Sequence, residues 1–334
     1  MTGVQTCALP ISTCPYCGVG CQIELLVQNG KIVRSNGIEK ESPNDGRLCV
    51  KGRFGYEFVH SPERLTTPLI KRNGKFEEAT WDEALNLIAT KFNDIKQKHG
   101  SDALAGYASA KCTNEDNYIF QKFIRTVFGT NNIDYCTRLC HASTVTAMLK
   151  SIGDGAGSNP IEDFETTDCL FVTGNNIIET HPITATYVKR GAASGQRIIV
   201  VDPRWTPLVR YATVWLQPKL GTDVALLNGL IHIIIKNNWI DKEFINQRVD
   251  GGMEAFEQLK ELTQKYTPDY VESITSVPAN KLKLAASLYA TSPTAMIATG
   301  MGMSQQVTGT YNVFSLINMM LITGQVGRER CGIN

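Results

Sequence analysis

Four cysteines near the start of the chain are spaced in a way that suits a metal cluster. Cys14, Cys17, Cys21 and Cys49 follow the pattern C-x2-C-x3-C-x27-C. Three thiolates on one loop and a fourth returned by the fold can hold the corners of an iron–sulfur cube. The alternative is a structural zinc site, which is usually built from two separated C-x2-C pairs. Because the grouping here is three plus one, the spacing favours a 4Fe–4S cluster and indicates a redox protein.

The dipeptide Cys140-His141 is a candidate for a second centre. It stands just before a predicted helix over residues 142–150. A cysteine at a helix N-terminus has a lowered pKa, which favours the thiolate that metals bind. The adjacent imidazole could relay protons near neutral pH. Taken alone, however, a Cys-His dipeptide is more often a structural pair, so the motif needs support from its context.

The elements that would position the four cysteines form a small β-rich unit. Residues 21–27 and 31–34 alternate around Asn29-Gly30, which predicts a hairpin. Pro62 and Pro68 then interrupt the pattern and place a boundary near residue 67. Residues 13–67 are therefore the predicted cluster domain.

An α/β pattern follows the cluster domain. Residues 68–134 read as the first part of an incomplete α/β domain, in which Thr80 and Glu83 predict a helix start and Gly100 its end. A strand over 103–108 and a helix over 114–128 continue the pattern.

The alternation becomes regular in residues 135–334. Strands are predicted over 169–173 and 197–201 with a helix over 183–193 between them, and the last strand over 294–299. Such βαβ units build a parallel sheet whose ligands gather at the carboxyl ends of the strands. Conspicuous residues follow these strands: Gly174-Asn175-Asn176 with Glu179, Asp202-Pro203-Arg204, and Gly300-Met301-Gly302.

Composition narrows the class of protein further. Hydrophobic residues make up 43%, charged residues 19%, and the formal net charge is +1, so nothing points to nucleic acid or to an anionic membrane surface. The apolar stretch over 313–322 is too short to span a membrane and predicts a buried helix. A chain of this length needs no disulfides, and its cysteine usage predicts a reducing, cytoplasmic compartment.

The two ends of the chain look unusual. Residues 1–12 carry no signal-peptide features and no strand pattern, and they resemble translated sequencing-adaptor sequence. We therefore predict that this segment is not native and exclude Cys7 from every site. The other end follows an apolar run without a polar tail, and we expect it to be truncated.

Six motifs together carry a resemblance to a known family. They are the four-cysteine loop, Val50-Lys51-Gly52-Arg53, the segment from Asn131 to His141, Val200 to Arg204, Gly221-Thr222-Asp223 and Gly300 to Gly302. Over residues 13–334 the chain resembles molybdopterin-dependent formate dehydrogenases of the DMSO reductase superfamily. In that superfamily, periplasmic-type nitrate reductases typically carry methionine after the metal-binding cysteine, whereas formate dehydrogenases carry histidine, as at His141.

The resemblance implies a molybdopterin oxidoreductase fold and a set of cofactors. A molybdenum or tungsten ion would be held by two molybdopterin guanine dinucleotides and by Cys140, formate would be oxidised to carbon dioxide with help from His141, and electrons would pass Lys51 to the cluster. Without the resemblance, Lys51 would be interpreted as an ordinary surface lysine. Iron–sulfur or flavin subunits are the implied electron acceptors. The implied dinucleotide contacts, which are also ordinary turn residues, are Lys51, Gly174, Asn175, Asn176, Glu179, Asp202, Pro203, Arg204, Gly221, Thr222, Asp223, Gly300, Met301, Gly302 and Gln305.

The sequence leaves two alternative functions open, and the resemblance also implies that part of the protein lies beyond this chain. The chain could belong to another molybdenum oxidoreductase such as a nitrate reductase, or to a non-catalytic iron–sulfur subunit of the same fold. The resemblance also implies a formate-binding arginine and a further cofactor-binding domain beyond Asn334. We therefore expect residues 1–334 alone to be inactive, and residues 68–134 to expose apolar surface.

Overall fold

The computed structural model describes residues 9–334, which divide into two compact units. The first unit contains residues 9–16, 22–38 and 50–138, and the second contains residues 17–21, 39–49 and 139–334. Cys7 and most of the predicted adaptor segment lie outside the described residues. The boundary predicted near residue 67 falls inside the first unit, and the one predicted at 134 is close to the unit boundary at 138. The three-part domain division stays a prediction.

The first unit begins with a three-stranded antiparallel sheet in the order β1-β2-β3. Asn29 and Gly30 have φ angles of 52° and 74°, which a tight hairpin turn requires, and the predicted hairpin is confirmed. The expectation of no strand within residues 1–12 is wrong for Ile11 and Ser12, which pair with β2. So short a strand carries no periodic signal. The strands are β1 Ile11–Thr13, β2 Gln22–Gln28 and β3 Lys31–Gly37.

The rest of the first unit is mainly helical. The helix that starts after Thr80 is confirmed, since the Thr80 side chain accepts from Glu83 N and Gly100 ends the helix with φ 84°. The strand predicted over 103–108 is mostly wrong, because a 3-10 turn occupies Ser101–Ala103 and only two residues pair. The elements are α1 Val50–Phe54, β4 Leu69–Arg72, β5 Lys75–Glu78, α2 Trp81–His99, β6 Gly106–Tyr107, α3 Asn114–Phe123 followed by a π-helical turn over Ile124–Phe128, β7 Ile133–Asp134, and α4 Thr137–Cys140, which crosses the unit boundary.

A five-stranded parallel sheet is the centre of the second unit. Its order is β10-β9-β8-β11-β12, and its three central strands are almost entirely buried. The predicted parallel sheet is confirmed. The expectation that the strand near residue 299 is the last one is wrong, because Gly332 and Ile333 pair with β11 and are too short to show a pattern. The strands are β8 Cys169–Thr173, β9 Arg197–Val201, β10 Val214–Leu216, β11 Ala295–Thr299 and β12 Gly332–Ile333.

Helices pack on this sheet and bury its apolar side chains. Residues 313–322 lie in a mostly buried helix, as predicted, and no helix in residues 9–334 is long and apolar enough to cross a membrane. The helices are α5 Ala142–Ile152, α6 Asp163–Thr166, α7 Ile177–Thr180, α8 Pro182–Ala193, α9 Asp223–Lys236, α10 Lys242–Arg248, α11 Gly252–Thr263, α12 Pro268–Thr275, α13 Ala279–Ala290, α14 Met301–Ser304 and α15 Gly309–Ile322.

Candidate cofactor site

Cys140 and His141 stand at the junction of helices α4 and α5. Cys140 is the last residue of α4, and His141 occupies the position just before α5, with φ −137° and ψ 13°. Both side chains are half-buried, and burial lowers the pKa of His141. The helix predicted after the dipeptide is confirmed, so the thiol stands near a helix N-terminus, where a thiolate is favoured.

Three glycines form a cradle where β8 and β11 end. We call Gly174, Gly300 and Gly302 the glycine cradle. Gly302 N donates to the Gly174 carbonyl at 3.0 Å, and a Cβ on Gly302 would lie 2.6 Å from the Gly174 Cα. A Cβ on Gly300 would lie 2.6 Å from the Gly174 carbonyl oxygen, and Gly174 itself has φ 58°. Only glycine fits at these positions, because the two loops pack backbone against backbone.

The loop after β8 adds polar side chains beside the cradle. Asn175 Nδ2 donates to the Thr299 carbonyl at 3.2 Å, and Asn176 Nδ2 donates to Glu179. The Asn176 Oδ1 is buried and has no hydrogen-bond partner among the described residues. This oxygen can accept a hydrogen bond from a ligand.

The loop after β9 presents Asp202 and Arg204. Arg204 N donates to Asp202 Oδ1 at 2.8 Å, and Trp215 Nε1 donates to the Asp202 carbonyl at 2.9 Å. Gln217 donates to the Pro203 carbonyl at 2.8 Å, which fixes the loop further. The Arg204 side chain is exposed, so its guanidinium can meet a phosphate.

A third contribution comes from the start of α9. Gly221 has φ 77°, and Thr222 Oγ1 donates to the Lys219 carbonyl at 2.6 Å. Asp223 is buried, and burial raises its pKa, while a hydrogen bond from Gln306 opposes that rise. Gln306 follows the predicted contact Gln305, whose backbone N donates to the Met301 carbonyl at 2.9 Å.

These loops meet at one edge of the sheet. Thr173 pairs in register with both Val201 and Thr299, so the loops after β8, β9 and β11 leave the sheet side by side. Two hydrogen bonds link further residues to the segment after β11. The Asp223 side chain accepts from Gln306, and the Cys140 carbonyl accepts from the Ser304 hydroxyl. The structure thus links Cys140 and Asp223 to the segment after β11 and places the loops after β8 and β9 at the same sheet edge, while the dinucleotide contacts themselves stay predictions.

Sequence reasoning missed Ser304 and Gln306. Both stand beside predicted residues on the segment after β11, but neither belongs to a recognisable motif. The partner of Ser304 is 164 residues away along the chain, so only the fold reveals the contact. For Gln306, the glycine-rich segment just before it was the available signal.

The four cysteines of the opening motif belong to both units. Cys14 is in the first unit, and Cys17, Cys21 and Cys49 are in the second. Gly20, with φ 70°, donates its N–H to the Cys17 carbonyl at 3.4 Å and turns the loop. Across residues 9–334, no group of three or more His, Cys, Asp or Glu is close enough to hold a metal ion. The cluster ligands stay a prediction, as does the role of Lys51, which is half-buried in α1 of the first unit.

Two family matches cover nearly the whole chain. Residues 64–334 match the molybdopterin oxidoreductase family, and residues 11–61 match the molybdopterin oxidoreductase Fe4S4 domain. The chain belongs to the molybdopterin oxidoreductase family. The predicted resemblance and the α/β fold class are confirmed. Membership in this family supports a molybdopterin cofactor and an iron–sulfur cluster.

Similar molybdopterin oxidoreductases include formate dehydrogenases. The chain is 43% identical over 321 residues to F420-dependent formate dehydrogenase 1 subunit alpha of Methanococcus maripaludis, covering 96% of this chain and 46% of the relative. It is 41% identical over 331 residues to formate dehydrogenase H of Escherichia coli, covering 97% of this chain and 46% of the relative. The chain therefore spans about half the length of these curated relatives.

This chain shares its fold with a solved structure. Acetylene hydratase from Pelobacter acetylenicus superimposes with a TM-score of 0.82 at 26% identity, covering 95% of this chain and 43% of that one. A protein with another named reaction thus shares the architecture, so the fold alone does not decide the substrate.

Proposed function

We propose that this chain is the N-terminal part of a formate dehydrogenase catalytic subunit, which oxidises formate to carbon dioxide. The observation that carries the proposal is the joining of the Cys140-His141 pair, through Ser304, to the glycine cradle. The similarity of 41–43% to named formate dehydrogenases supports formate as the substrate.

Residues of the second unit would supply part of the contacts to two molybdopterin guanine dinucleotides. The glycine cradle packs the loops after β8 and β11 backbone against backbone, which no larger residue would allow, and Asn176 Oδ1 is a buried acceptor without a partner among the described residues. Asp202 offers a carboxylate to a guanine or ribose donor, and Arg204 offers a guanidinium to phosphate. When bound with its metal ion, molybdenum or tungsten, this cofactor supplies a centre that accepts the two electrons of formate oxidation.

The chain's own residues have separate roles in this proposal. Cys140 would supply the thiolate ligand, and His141 would place an imidazole beside it for proton transfer. Lys51 would stabilise negative charge on the electron path by proximity, and Cys14, Cys17, Cys21 and Cys49 would hold the 4Fe–4S cluster. Iron–sulfur or flavin subunits would take the electrons, and the cysteine usage supports a cytoplasmic location.

The test uses the full-length protein purified without oxygen. We expect bound molybdenum or tungsten, formate-dependent reduction of a viologen dye, and no activity with nitrate. Cys140→Ser removes the thiolate ligand and should lose formate oxidation, whereas Cys112→Ser, which changes an exposed cysteine outside the site, should keep it. Residues 1–334 alone should not oxidise formate.

Three outcomes would contradict the proposal. Activity with nitrate and none with formate would favour a nitrate reductase. Iron without molybdenum or tungsten would favour a non-catalytic electron-transfer subunit. Formate oxidation by residues 1–334 alone would contradict only the part of the proposal in which this chain by itself is inactive.

A further inference from the structure

Helix α14 contacts two parts of the candidate site at once. Gly302 N donates to the Gly174 carbonyl at 3.0 Å. Two residues later, the Ser304 hydroxyl donates to the carbonyl of Cys140. Both hydrogen bonds lie within the second unit. The four-residue helix α14 therefore forms hydrogen bonds both to Gly174 and to the peptide bond between Cys140 and His141.

The Cys140 carbonyl needs a donor from outside its own helix. Because α4 ends at Cys140, its last carbonyl groups have no N–H partner within that helix. Ser304 is only 3% exposed, so water competes poorly for its hydroxyl. A buried hydrogen bond from a fixed hydroxyl restricts rotation of the peptide between Cys140 and His141. It thereby restricts the direction in which the two side chains leave the backbone.

Ser304 is itself held from several sides. The preceding carbonyl, of Met303, accepts from Asn312 Nδ2 at 2.9 Å, and the Met303 sulfur accepts from the Thr173 hydroxyl at 3.1 Å. A Cβ on Gly309 would overlap the Ser304 carbonyl, so α15 begins in direct contact with this turn. The donor is therefore fixed to both the end of β8 and the start of α15.

We propose that Ser304 is a positioning residue for Cys140 and couples the glycine cradle to it. The inference rests on the proposed function, in which Cys140 ligates molybdenum or tungsten. In this role Ser304 acts through its hydroxyl on the carbonyl of Cys140. Without that hydroxyl, the Cys140 peptide loses this restraint, and the thiol is less ordered before cofactor binding.

The test measures the alkylation rate of Cys140 by iodoacetamide in residues 1–334, resolved by peptide mass spectrometry. We expect Ser304→Ala to raise this rate about fivefold, the effect of losing one neutral hydrogen bond. Ser304→Thr keeps the hydroxyl and should restore the wild-type rate. The matched control is Ser292→Ala, because Ser292 is 4% exposed and its hydroxyl also donates to a carbonyl, that of Leu288, before β11 begins.

Circular dichroism first establishes that each variant is folded. If Ser304→Ala does not fold, Ser304→Cys replaces it, since a thiol fills the space but is a weak donor. An unchanged Cys140 rate in a folded variant lacking the hydroxyl would overturn the proposal. So would an equal acceleration in Ser292→Ala, or the alanine rate in Ser304→Thr.

A second measurement separates this inference from the proposed function. In the full-length protein, Ser304→Ala should keep its metal while kcat for formate falls about fivefold and KM stays unchanged. If the full-length wild type oxidises no formate, or if Cys140→Ser oxidises it at the wild-type rate, the proposed function is wrong, whereas the alkylation result still decides the role of Ser304. If Cys140→Ser loses formate oxidation and Ser304→Ala matches the wild type in both assays, only the positioning role is wrong.

Discussion

Asp223 shows how burial changes the chemistry of a single carboxyl group in the candidate site. The carboxyl group lies at the start of α9, and burial raises its pKa above the ordinary 3.8. The Gln306 side chain opposes this effect because its hydrogen bond favours the charged form. A carboxylate held with so little solvent is suited to bind an N–H donor of a ligand, which would compensate for the lost water.

A pH-dependent stability follows from the raised pKa of Asp223. Between the ordinary and the raised pKa, the folded state binds more protons than the unfolded state, so the free energy of unfolding falls as pH rises. The substitution Asp223→Asn replaces the carboxyl group with an amide that does not titrate. This variant should therefore gain stability relative to wild type as pH rises from about 3.8. Urea unfolding of the ligand-free chain across this pH range measures the difference.

A substitution at Gln306 tests the same pKa of Asp223 from the side of its hydrogen bond. Gln306→Ala removes the hydrogen bond that favours the charged carboxyl group, so the stability of this variant should fall more steeply with pH than that of the wild type. A stability difference between Asp223→Asn and wild type that stays constant with pH would show that burial does not raise this pKa.

At the scale of elements, long buried patterns could be predicted and short pairings could not. The bounds of β8 and β9 are those expected from their apolar patterns. By contrast, β10 and β12 are only three and two residues long, which is too short to show an alternation of apolar and polar residues. Their pairing depends on neighbours that the fold supplies, as does the contact between Ser304 and Cys140.

Helix α2 presents the apolar surface that was expected in residues 68–134. Trp81, Leu85, Ile88 and Phe92 share one helical face, and Leu85 is 55% exposed and Ile88 48% exposed. The far end of this face packs better, since Phe92 makes an edge-to-face contact with Phe128 at 5.2 Å. An exposed apolar stripe of this kind promotes self-association.

Replacing the centre of this stripe should reduce aggregation of residues 1–334. The double variant Leu85→Gln and Ile88→Gln removes two exposed apolar side chains, so we expect weaker binding of a hydrophobic dye and less light scattering. The control is Leu284→Gln, because Leu284 is 45% exposed on α13 and follows lysines at positions 281 and 283. Equal effects of both variants would mean that the α2 stripe has no special role.

At the scale of the whole molecule, the fold and the reaction have to be argued separately. Acetylene hydratase has the same architecture with a TM-score of 0.82, although its name describes a different reaction. The case for formate therefore depends on Cys140-His141 and on the similarity to formate dehydrogenases. Because the chain spans 46% of those relatives, the proposed activity belongs to the full-length protein.

Metal content distinguishes the two interpretations of the opening cysteine motif. The Fe4S4 domain match over residues 11–61 includes all four cysteines, and thiolates suit both iron–sulfur clusters and zinc. After anaerobic reconstitution with iron and sulfide, residues 1–334 should bind about four irons, and Cys17→Ser should bind far fewer. Cys112→Ser changes an exposed cysteine outside the motif and should match the wild type. Purified protein that holds one zinc and takes up no iron would instead make the motif a structural site, and the proposed path of electrons out of the protein would fail with it.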